Sequence, residues 1–144
     1  MLMPDVNVLV YAHRKETPGH AEYRLWLEEL INSDAAFTLS DLILSGFLRV
    51  TTHPRILNPP TPVKDAWAFV RALHNCPNCV PVSPGARHWE TFTRLCREAG
   101  ARGNLIPDAY LAAVAIESGC ELITTDRDYS RFKGLRCRHP LAVK

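Results

Sequence analysis

Four aspartates lie next to short apolar segments, at points where the chain is expected to change direction. Asp5 lies within the apolar start of the chain, Asp108 falls in the first turn of a predicted helix, and Asp126 and Asp128 follow an apolar run. An unpaired carboxylate among apolar neighbours is costly, so Asp5 should find a cation or hydrogen-bond donors. Mg2+ prefers carboxylate oxygens together with water and phosphate oxygens. If these acids meet, they form a negative pocket suited to Mg2+.

Each of these acids also has a simpler structural explanation. Asp108 could only interact with the dipole of its helix, and Asp126 or Asp128 could only cap a turn. The residue types alone leave both explanations open for these three positions. Asp5 is harder to explain in this way, because its neighbours on both sides are apolar.

The elements that must position these acids follow from the spacing of apolar residues. Segment 2–11 is either a buried strand or a strand that turns into a helix. Helical spacing predicts helices over 19–33, 42–52, 63–74, 87–99 and 107–118. Short apolar runs predict strands over 36–39, 80–82 and 121–125.

Strands that alternate with helices, without hairpin turns between them, favour a parallel sheet. We therefore predict an α/β fold with one domain over residues 1–144, a central mostly parallel sheet, and helices on both faces. Ligands of such folds gather at the carboxyl ends of the strands. This rule favours a shared site for acids that lie at strand-to-helix junctions.

Composition supports one folded domain and sets limits on the class of protein. The chain has 144 residues, of which 47% are hydrophobic and 22% charged, so it lacks the signature of disorder. A net charge of +2 is too small to indicate a nucleic-acid binder by itself. No apolar run approaches the roughly 18 residues of a membrane span, and the start of the chain does not resemble a signal peptide. We predict a cytoplasmic protein without a membrane segment.

The five cysteines are an odd number, and a disulfide framework is not expected in a cytoplasmic protein. Cys76 and Cys79 form the only close pair. Such a pair is half of a zinc site, and the second half would have to come from scattered residues. Ordinary free thiols are the favoured interpretation.

Three segments, taken in order, resemble the PIN-domain nucleases. They are DVNVL at 5–9, DAYLAA at 108–113 and TTDRDY at 124–129. Their order and flanking residues are similar to those of the VapC toxins of toxin–antitoxin pairs, and the similarity covers essentially the whole chain. The resemblance implies an endoribonuclease that depends on Mg2+ or Mn2+ and activates water to cut RNA. It also implies inhibition by a VapB-type antitoxin and assembly as a homodimer.

The resemblance also implies roles for particular residues. Catalysis and metal binding fall to the three aspartates at matching positions, Asp5, Asp108 and Asp126. Asp128 matches a position that could assist them. Asn7 and Thr125 match polar residues that line such pockets and donate hydrogen bonds to carboxylates or phosphate.

One position departs from the family pattern. The family usually has a glutamate in the helix after the second strand, and the best alignment places Gly46 there. Asp41 could supply an acid from a different direction, or it or Ser40 could only cap that helix. The missing acid leaves a second function open, in which a degenerate PIN domain binds RNA or a protein partner without nuclease activity.

Basic and aromatic residues near the acids suggest how RNA could be held. Arg102, Arg127 and Arg131 could form a cationic rim for substrate phosphates, although a solvated basic surface explains them nearly as well. Trp67 or Trp89 could stack on a base, but aromatic residues of amphipathic helices more often belong to the core.

Overall fold

The computed structural model describes residues 1–143, so Lys144, the last residue of the predicted domain, lies outside the described residues. It contains a parallel sheet of three strands in the order β1-β2-β3. The strands are β1 (Leu2–Pro4), β2 (Glu121–Ile123) and β3 (Arg136–Arg138). The helices are α1 (Val6–His13), α2 (His20–Ile31), α3 (Asp41–Thr52), α4 (Val63–His74), α5 (His88–Ala99) and α6 (Leu105–Glu117). The predicted α/β class and the parallel sheet are confirmed.

The first segment is a strand that turns into a helix. After β1, the Asp5 side chain accepts a hydrogen bond from the Val6 backbone N–H at 2.8 Å and caps α1. The Asp5 backbone N–H donates to the Ile123 carbonyl at 2.8 Å. This bond holds the start of α1 against the carboxyl end of β2.

The predicted strand 36–39 is reduced to one bridge position beside β1, and the bridge nearest to the predicted strand 80–82 lies at Cys79. Phe37 pairs in parallel with Leu2 on one side and with Cys79 on the other. The segment after Phe37 is short because Ser40 already caps α3. Pairing beyond Val80 is limited by Pro81, which has no N–H to donate. The prediction for 36–39 therefore overestimates a single bridge at Phe37, and the prediction for 80–82 is wrong, because the bridge lies one residue earlier, at Cys79.

The third strand, β3, is not predicted by the sequence. Its residues Arg136, Cys137 and Arg138 contain no apolar run, because β3 lies at the edge of the sheet and is only partly buried. Arg138 also pairs with Glu121 of β2 at 2.6 Å. A polar edge strand of this kind gives no hydrophobic signal in the sequence.

Helix α6 carries Asp108 and is apolar on almost all sides. It begins at Leu105 rather than at 107, and Pro107 occupies its first turn, where a missing N–H is tolerated. Several of its residues are fully or almost fully buried, namely Ala109, Leu111, Ala112, Ala113, Val114 and Ala115. This packing fixes α6 in the core, so the start of the helix is a rigid support for Asp108. Within residues 1–143, no helix has the length and apolar character needed to cross a membrane.

Candidate active site

Asp5 is buried at the carboxyl end of β1, with a relative exposure of 5%. One of its carboxylate oxygens accepts from Val6 N–H, and the other accepts from the Thr124 hydroxyl, each at 2.8 Å. Burial raises the pKa of Asp5, these two hydrogen bonds lower it, and the charge of Asp126 raises it further. The net direction is upward, so Asp5 lies in surroundings that disfavour an uncompensated negative charge.

Thr124 connects two of the predicted catalytic acids. Its hydroxyl donates to Asp5 and accepts from the backbone N–H of Asp126 at 3.1 Å. Asp126 in turn accepts from the backbone N–H of Asp128 at 2.9 Å and caps the short 3-10 helix Arg127–Arg131. Asp126 therefore has the capping role that the sequence left open, and its negative charge also raises the pKa of Asp5.

Asp108 faces the same group of acids from the first turn of α6. The buried Tyr129 hydroxyl donates to the Asp108 carboxylate at 3.3 Å. The pKa of Asp108 is raised to about 6 overall. Burial is the largest cause, the Tyr129 hydrogen bond acts in the opposite direction, and the charges of Asp126, Asp5 and Asp128 raise the pKa further. The pKa of Tyr129 is raised too, mainly by burial and then by the nearby acids. The tyrosine therefore remains a hydrogen-bond donor to Asp108.

A cavity of about 380 Å3, which we call the acidic pocket, brings these residues together. Asp5, Asp108 and Asp126 all line it. Arg49 of α3 lines it as well and brings a positive charge to a wall that also contains acidic, uncharged polar and apolar groups. The structure thus gathers the three predicted acids around one space.

The three carboxylates suit a divalent cation in their chemistry. They supply oxygen ligands, and their mutual repulsion is a cost that a bound cation would remove. Among residues 1–143, no group of three or more His, Cys, Asp or Glu side chains is arranged to hold a metal ion. Asp5, Asp108 and Asp126 are each turned towards an internal hydrogen-bond donor instead. Their assignment as a ligand set stays a prediction.

The two predicted polar assistants lie in different places. Asn7 is exposed and lines the acidic pocket. Thr125 does not line the acidic pocket and instead borders a neighbouring cavity together with Thr124, Arg127 and His139, and Asp126 lines both cavities. The hydroxyl that reaches Asp5 belongs to its neighbour Thr124. Thr124 and Tyr129 are the functional residues that are not predicted from the sequence, although both lie within the segment 124–129 that carries the resemblance.

The predicted arginines divide between two surfaces. Arg102 and Arg131 line a groove with Asp108 and Asp128, so both lie beside the acidic pocket. Arg131 also lies 3.8 Å from Asp128, an exposed pair that contributes little to stability. Arg127 lines the other cavity, with Thr125. Only two of the three predicted arginines therefore lie along the groove that contains Asp108.

Asp41 does not line the acidic pocket. The Ser40 hydroxyl accepts from the Ile43 backbone N–H at 3.3 Å and caps α3, which leaves Asp41 as the first residue of the helix. Asp41 is exposed and lines an adjacent, more apolar cavity. The expectation that it could replace the missing acid receives no support from this placement.

Gly46 does line the acidic pocket, and it is the position at which the family resemblance leads us to expect a glutamate. A Cβ atom at this position would lie 2.9 Å from Cγ2 of Val6, which is closer than real Cβ contacts. Val6 is β-branched and stiff, so it cannot easily move aside. The close approach of α3 to α1 therefore explains why this chain has no side chain at position 46.

The other candidates lie away from the acids. The five cysteines are free, and Cys76 and Cys79 belong to no group of metal ligands among the described residues. Trp67 and Trp89 are exposed by 48% and 70%, so neither is the core residue that helical spacing suggested. Trp89 packs edge-on against Phe92 with ring centroids 5.6 Å apart.

Comparison with known proteins agrees with this architecture. The family model described as the PIN domain matches residues 2–135. That range includes β1, β2 and all residues of the acidic pocket. The PIN domain is thus the class of protein that the parallel sheet and its cluster of acids define.

Two curated relatives identify the branch of the family. Ribonuclease VapC43 of Mycobacterium tuberculosis is 48% identical over 141 residues, which cover 98% of this chain and 96% of that protein. Ribonuclease VapC25 of the same organism is 45% identical over 140 residues, which cover 97% and 99% of the two chains. The chain therefore belongs to the VapC ribonucleases of the PIN-domain family, as the resemblance of its sequence predicted.

Solved structures share the fold at low sequence identity. The toxin–antitoxin complex VapBC2 of Rickettsia felis, bound to a promoter DNA fragment, matches with a TM-score of 0.70 and 18% identity, covering 96% of this chain and 97% of that one. VapC20 of Mycobacterium tuberculosis, described as a toxin that cleaves the sarcin–ricin loop, matches with a TM-score of 0.65 and 16% identity, covering 94% and 99%. These similarities support the fold.

Proposed function

We propose that this chain is an endoribonuclease that cuts RNA in its acidic pocket with the help of Mg2+ or Mn2+. The observation that carries the proposal is the convergence of Asp5, Asp108 and Asp126 on one cavity, with a raised pKa for Asp5 and Asp108. Strongly perturbed carboxylates in a cavity are typical of catalytic sites. The names of the curated relatives, which are ribonucleases, point to the same activity.

Asp5 and Asp108 would hold the divalent cation, with Asp126 beside them. Mg2+, when bound there, supplies positive charge at the scissile phosphate and lowers the pKa of a water molecule. Thr124 fixes the orientation of Asp5, and Tyr129 fixes that of Asp108, each through a hydrogen bond from its hydroxyl. Partners that orient ligating carboxylates in this way usually matter nearly as much as the ligands.

The chain's positive charges would position the RNA backbone. Arg49 lines the acidic pocket, and Arg102 and Arg131 line the groove that leads from Asp108. Such contacts to phosphate fix the position of a nucleic acid and carry no sequence information themselves. They would place a phosphodiester bond over acids that otherwise repel it.

A VapB-type antitoxin is the proposed partner that controls this activity. Several similar structures are of toxin–antitoxin complexes, among them VapBC2 of Rickettsia felis and VapBC-1 of nontypeable Haemophilus influenzae. We also propose that the chain forms a homodimer. Co-expression with the product of a short neighbouring reading frame, followed by purification, tests the first proposal, and light scattering tests the second.

Cleavage of RNA by the purified chain tests the activity itself. Total RNA should be cut with Mg2+ and should remain intact with EDTA or with the Asp5→Asn variant. Asn keeps an oxygen that can accept the Val6 N–H bond while removing the charge, so this variant should stay folded. A folded Asp5→Asn variant that cuts RNA at the wild-type rate would refute the proposed site.

The degenerate-module alternative makes the opposite prediction for the same assay. A chain that lacks nuclease activity because it has no acid at Gly46 would bind RNA with and without Mg2+ and would cut it in neither case. Binding measured by gel shift beside cleavage measured on the same RNA separates the two functions.

A further inference from the structure

A second cavity adjoins the acidic pocket, and we call it the side cavity. It has a volume of about 480 Å3 and shares the wall residues Leu42, Ser45 and Pro107 with the acidic pocket. That volume lies within the range of small-ligand sites, which is roughly 300–1,000 Å3. Because Pro107 precedes Asp108 directly, a ligand in the side cavity would lie next to the bond that the acidic pocket is proposed to cut.

One wall of the side cavity is aromatic and held in place. Phe92 and Tyr110 line it, with ring centroids 5.4 Å apart in an edge-on arrangement. The buried His88 ring lies 4.3 Å from the Tyr110 ring, centroid to centroid, and its Nε2 atom is 3.0 Å from the Tyr110 carbonyl oxygen. The aromatic surface is therefore formed before any ligand arrives.

A second part of the cavity wall is connected to α6. Ser83 and Pro84 line the side cavity, and the chain just beyond them is fixed by Glu117. The Glu117 carboxylate accepts hydrogen bonds from the backbone N–H groups of Gly85 at 2.6 Å and Arg87 at 2.9 Å. Two charge-assisted bonds of this kind fix this part of the wall to α6.

Among the described residues that line this cavity, Asp41 is the only one with a charged side chain. Because Ser40 rather than Asp41 caps α3, the Asp41 carboxylate is not used for capping. It has two oxygens that can accept two parallel N–H bonds. The side cavity thus combines an aromatic surface with one carboxylate, that of Asp41, which can accept hydrogen bonds from two adjacent N–H groups.

We propose that the side cavity binds one unpaired nucleobase of the RNA, with guanine preferred, beside the bond that is cut. This inference rests on the proposed RNA cleavage. Bases of single-stranded RNA stack on aromatic side chains and present a free Watson–Crick edge. Guanine alone offers two adjacent N–H donors on that edge, from N1 and from the N2 amino group, which match a carboxylate. Adenine, cytosine and uracil each offer one donor group there.

Calorimetric titration of the metal-free protein with the four nucleoside 5′-monophosphates tests this proposal. All four share the phosphate, so differences in affinity report on the base. GMP should bind about tenfold more tightly than AMP, CMP or UMP, the effect expected of one bidentate contact. Asp41→Asn should remove this preference and leave AMP binding unchanged. Asp65→Asn, which removes an exposed carboxylate of α4, is the matched control and should retain it.

The Phe92→Leu variant tests the stacking surface. Leucine keeps apolar volume but lacks the aromatic face, so all four nucleotides should bind more weakly while the thermal transition shows that the fold is retained. Equal affinity for the four nucleotides, or an unchanged GMP preference in Asp41→Asn, would overturn the proposal. So would a homodimer that Phe92→Leu converts to monomers in light scattering, since a second copy would then cover the side cavity.

The titration does not depend on cleavage. A protein that prefers GMP but cuts no RNA would refute the proposed nuclease function alone. A protein that cuts RNA without any base preference at the side cavity would refute this inference alone.

Discussion

The Thr124 hydroxyl donates a hydrogen bond of 2.8 Å to the Asp5 carboxylate and so joins two residues that are 119 positions apart in the chain. The same hydroxyl accepts from the Asp126 backbone N–H at 3.1 Å. One buried oxygen atom therefore holds the first acid in place and fixes the backbone of the third. This arrangement assigns Thr124 a positioning role in the acidic pocket.

Thr124→Val should weaken both the fold and the activity. Valine has nearly the same shape but leaves an Asp5 oxygen and the Asp126 N–H without their partner, which costs about 1–3 kcal/mol in free energy of unfolding. Cleavage should fall about tenfold or more, as for other partners of ligating groups. Chemical denaturation and RNA cleavage rates measure the two effects.

Thr125→Val is the matched control for that experiment. Thr125 is its neighbour but is partly exposed, whereas Thr124 is buried, so the replacement of Thr125 should change stability by about 0.5 kcal/mol or less. Equal effects of the two substitutions would show that Thr124 has no special role.

The raised pKa of Asp108 predicts how the stability of the metal-free protein depends on pH. Its pKa is about 6 in the folded protein, against an ordinary value of 3.8, so between these values the folded state binds more protons than the unfolded state. The free energy of unfolding should therefore fall as pH rises from 4 to 6. Because Asp108 is partly exposed, we expect a loss of about 1 kcal/mol from this group after solvent screening.

Asp108→Asn removes the titrating group and should remove this part of the pH dependence. At pH 7 the variant should be more stable than the metal-free wild type, with a melting temperature higher by about 3 °C. Thermal melts at pH 4, 5, 6 and 7 measure both quantities. A variant that melts lower than the wild type at pH 7 would mean that the Asp108 charge is compensated in the folded protein.

The contact between Gly46 and Val6 predicts an unusual response to alanine. In a helix interior, Gly→Ala normally stabilises by roughly 0.5–1 kcal/mol. Here the new Cβ would lie 2.9 Å from Val6 Cγ2, so Gly46→Ala should destabilise by about 1 kcal/mol or more.

A double-mutant cycle with Val6→Ala checks the cause. Removing the Val6 methyl groups should relieve the clash, so that Gly46→Ala becomes neutral or stabilising in the Val6→Ala background. The same background is required for Gly46→Glu to place the family's usual carboxylate in the acidic pocket. Additive effects of the two alanine substitutions would contradict this explanation.

The groove beside Asp108 predicts which arginines bind RNA. Replacing Arg102 and Arg131 by alanine should weaken RNA binding. The slope of log affinity against log salt concentration should also become shallower by about 0.7 for each phosphate that is no longer neutralised. Arg127→Ala should have a smaller effect, because Arg127 lines the neighbouring cavity rather than this groove. Binding of a single-stranded RNA at several salt concentrations distinguishes them, and a larger effect of Arg127→Ala would place the RNA on the other surface.

The fold could largely be predicted from apolar spacing. The positions of helices α2 to α6 follow from periodicity, whereas the change from strand to helix at Asp5 was one of two alternatives that periodicity left open. The edge strand β3 could not be predicted, because it is polar and short. The single bridge at Phe37 also depends on partners far apart in the chain, namely Leu2 and Cys79.

The sequence predicts that the three acids lie together, and they line one cavity, but it does not predict the residues that form hydrogen bonds with them. Thr124 and Thr125 are identical in type, and which of them faces Asp5 depends on the phase of the chain as it leaves β2. Ser40 and Asp41 are both good helix caps, and because Ser40 takes the cap, Asp41 becomes the first residue of α3 and lines the side cavity. Such single-residue choices are decided by tertiary packing.

Binding of Mn2+, followed by the electron paramagnetic resonance signal of the free ion, tests most directly whether the acids form one metal site. Wild-type protein should bind Mn2+ stoichiometrically at a site that Mg2+ competes for. Asp108→Asn should weaken this binding at least tenfold, while Asp65→Asn should leave it unchanged. Equal Mn2+ affinity in wild type and Asp108→Asn would contradict the proposal that these acids hold the metal.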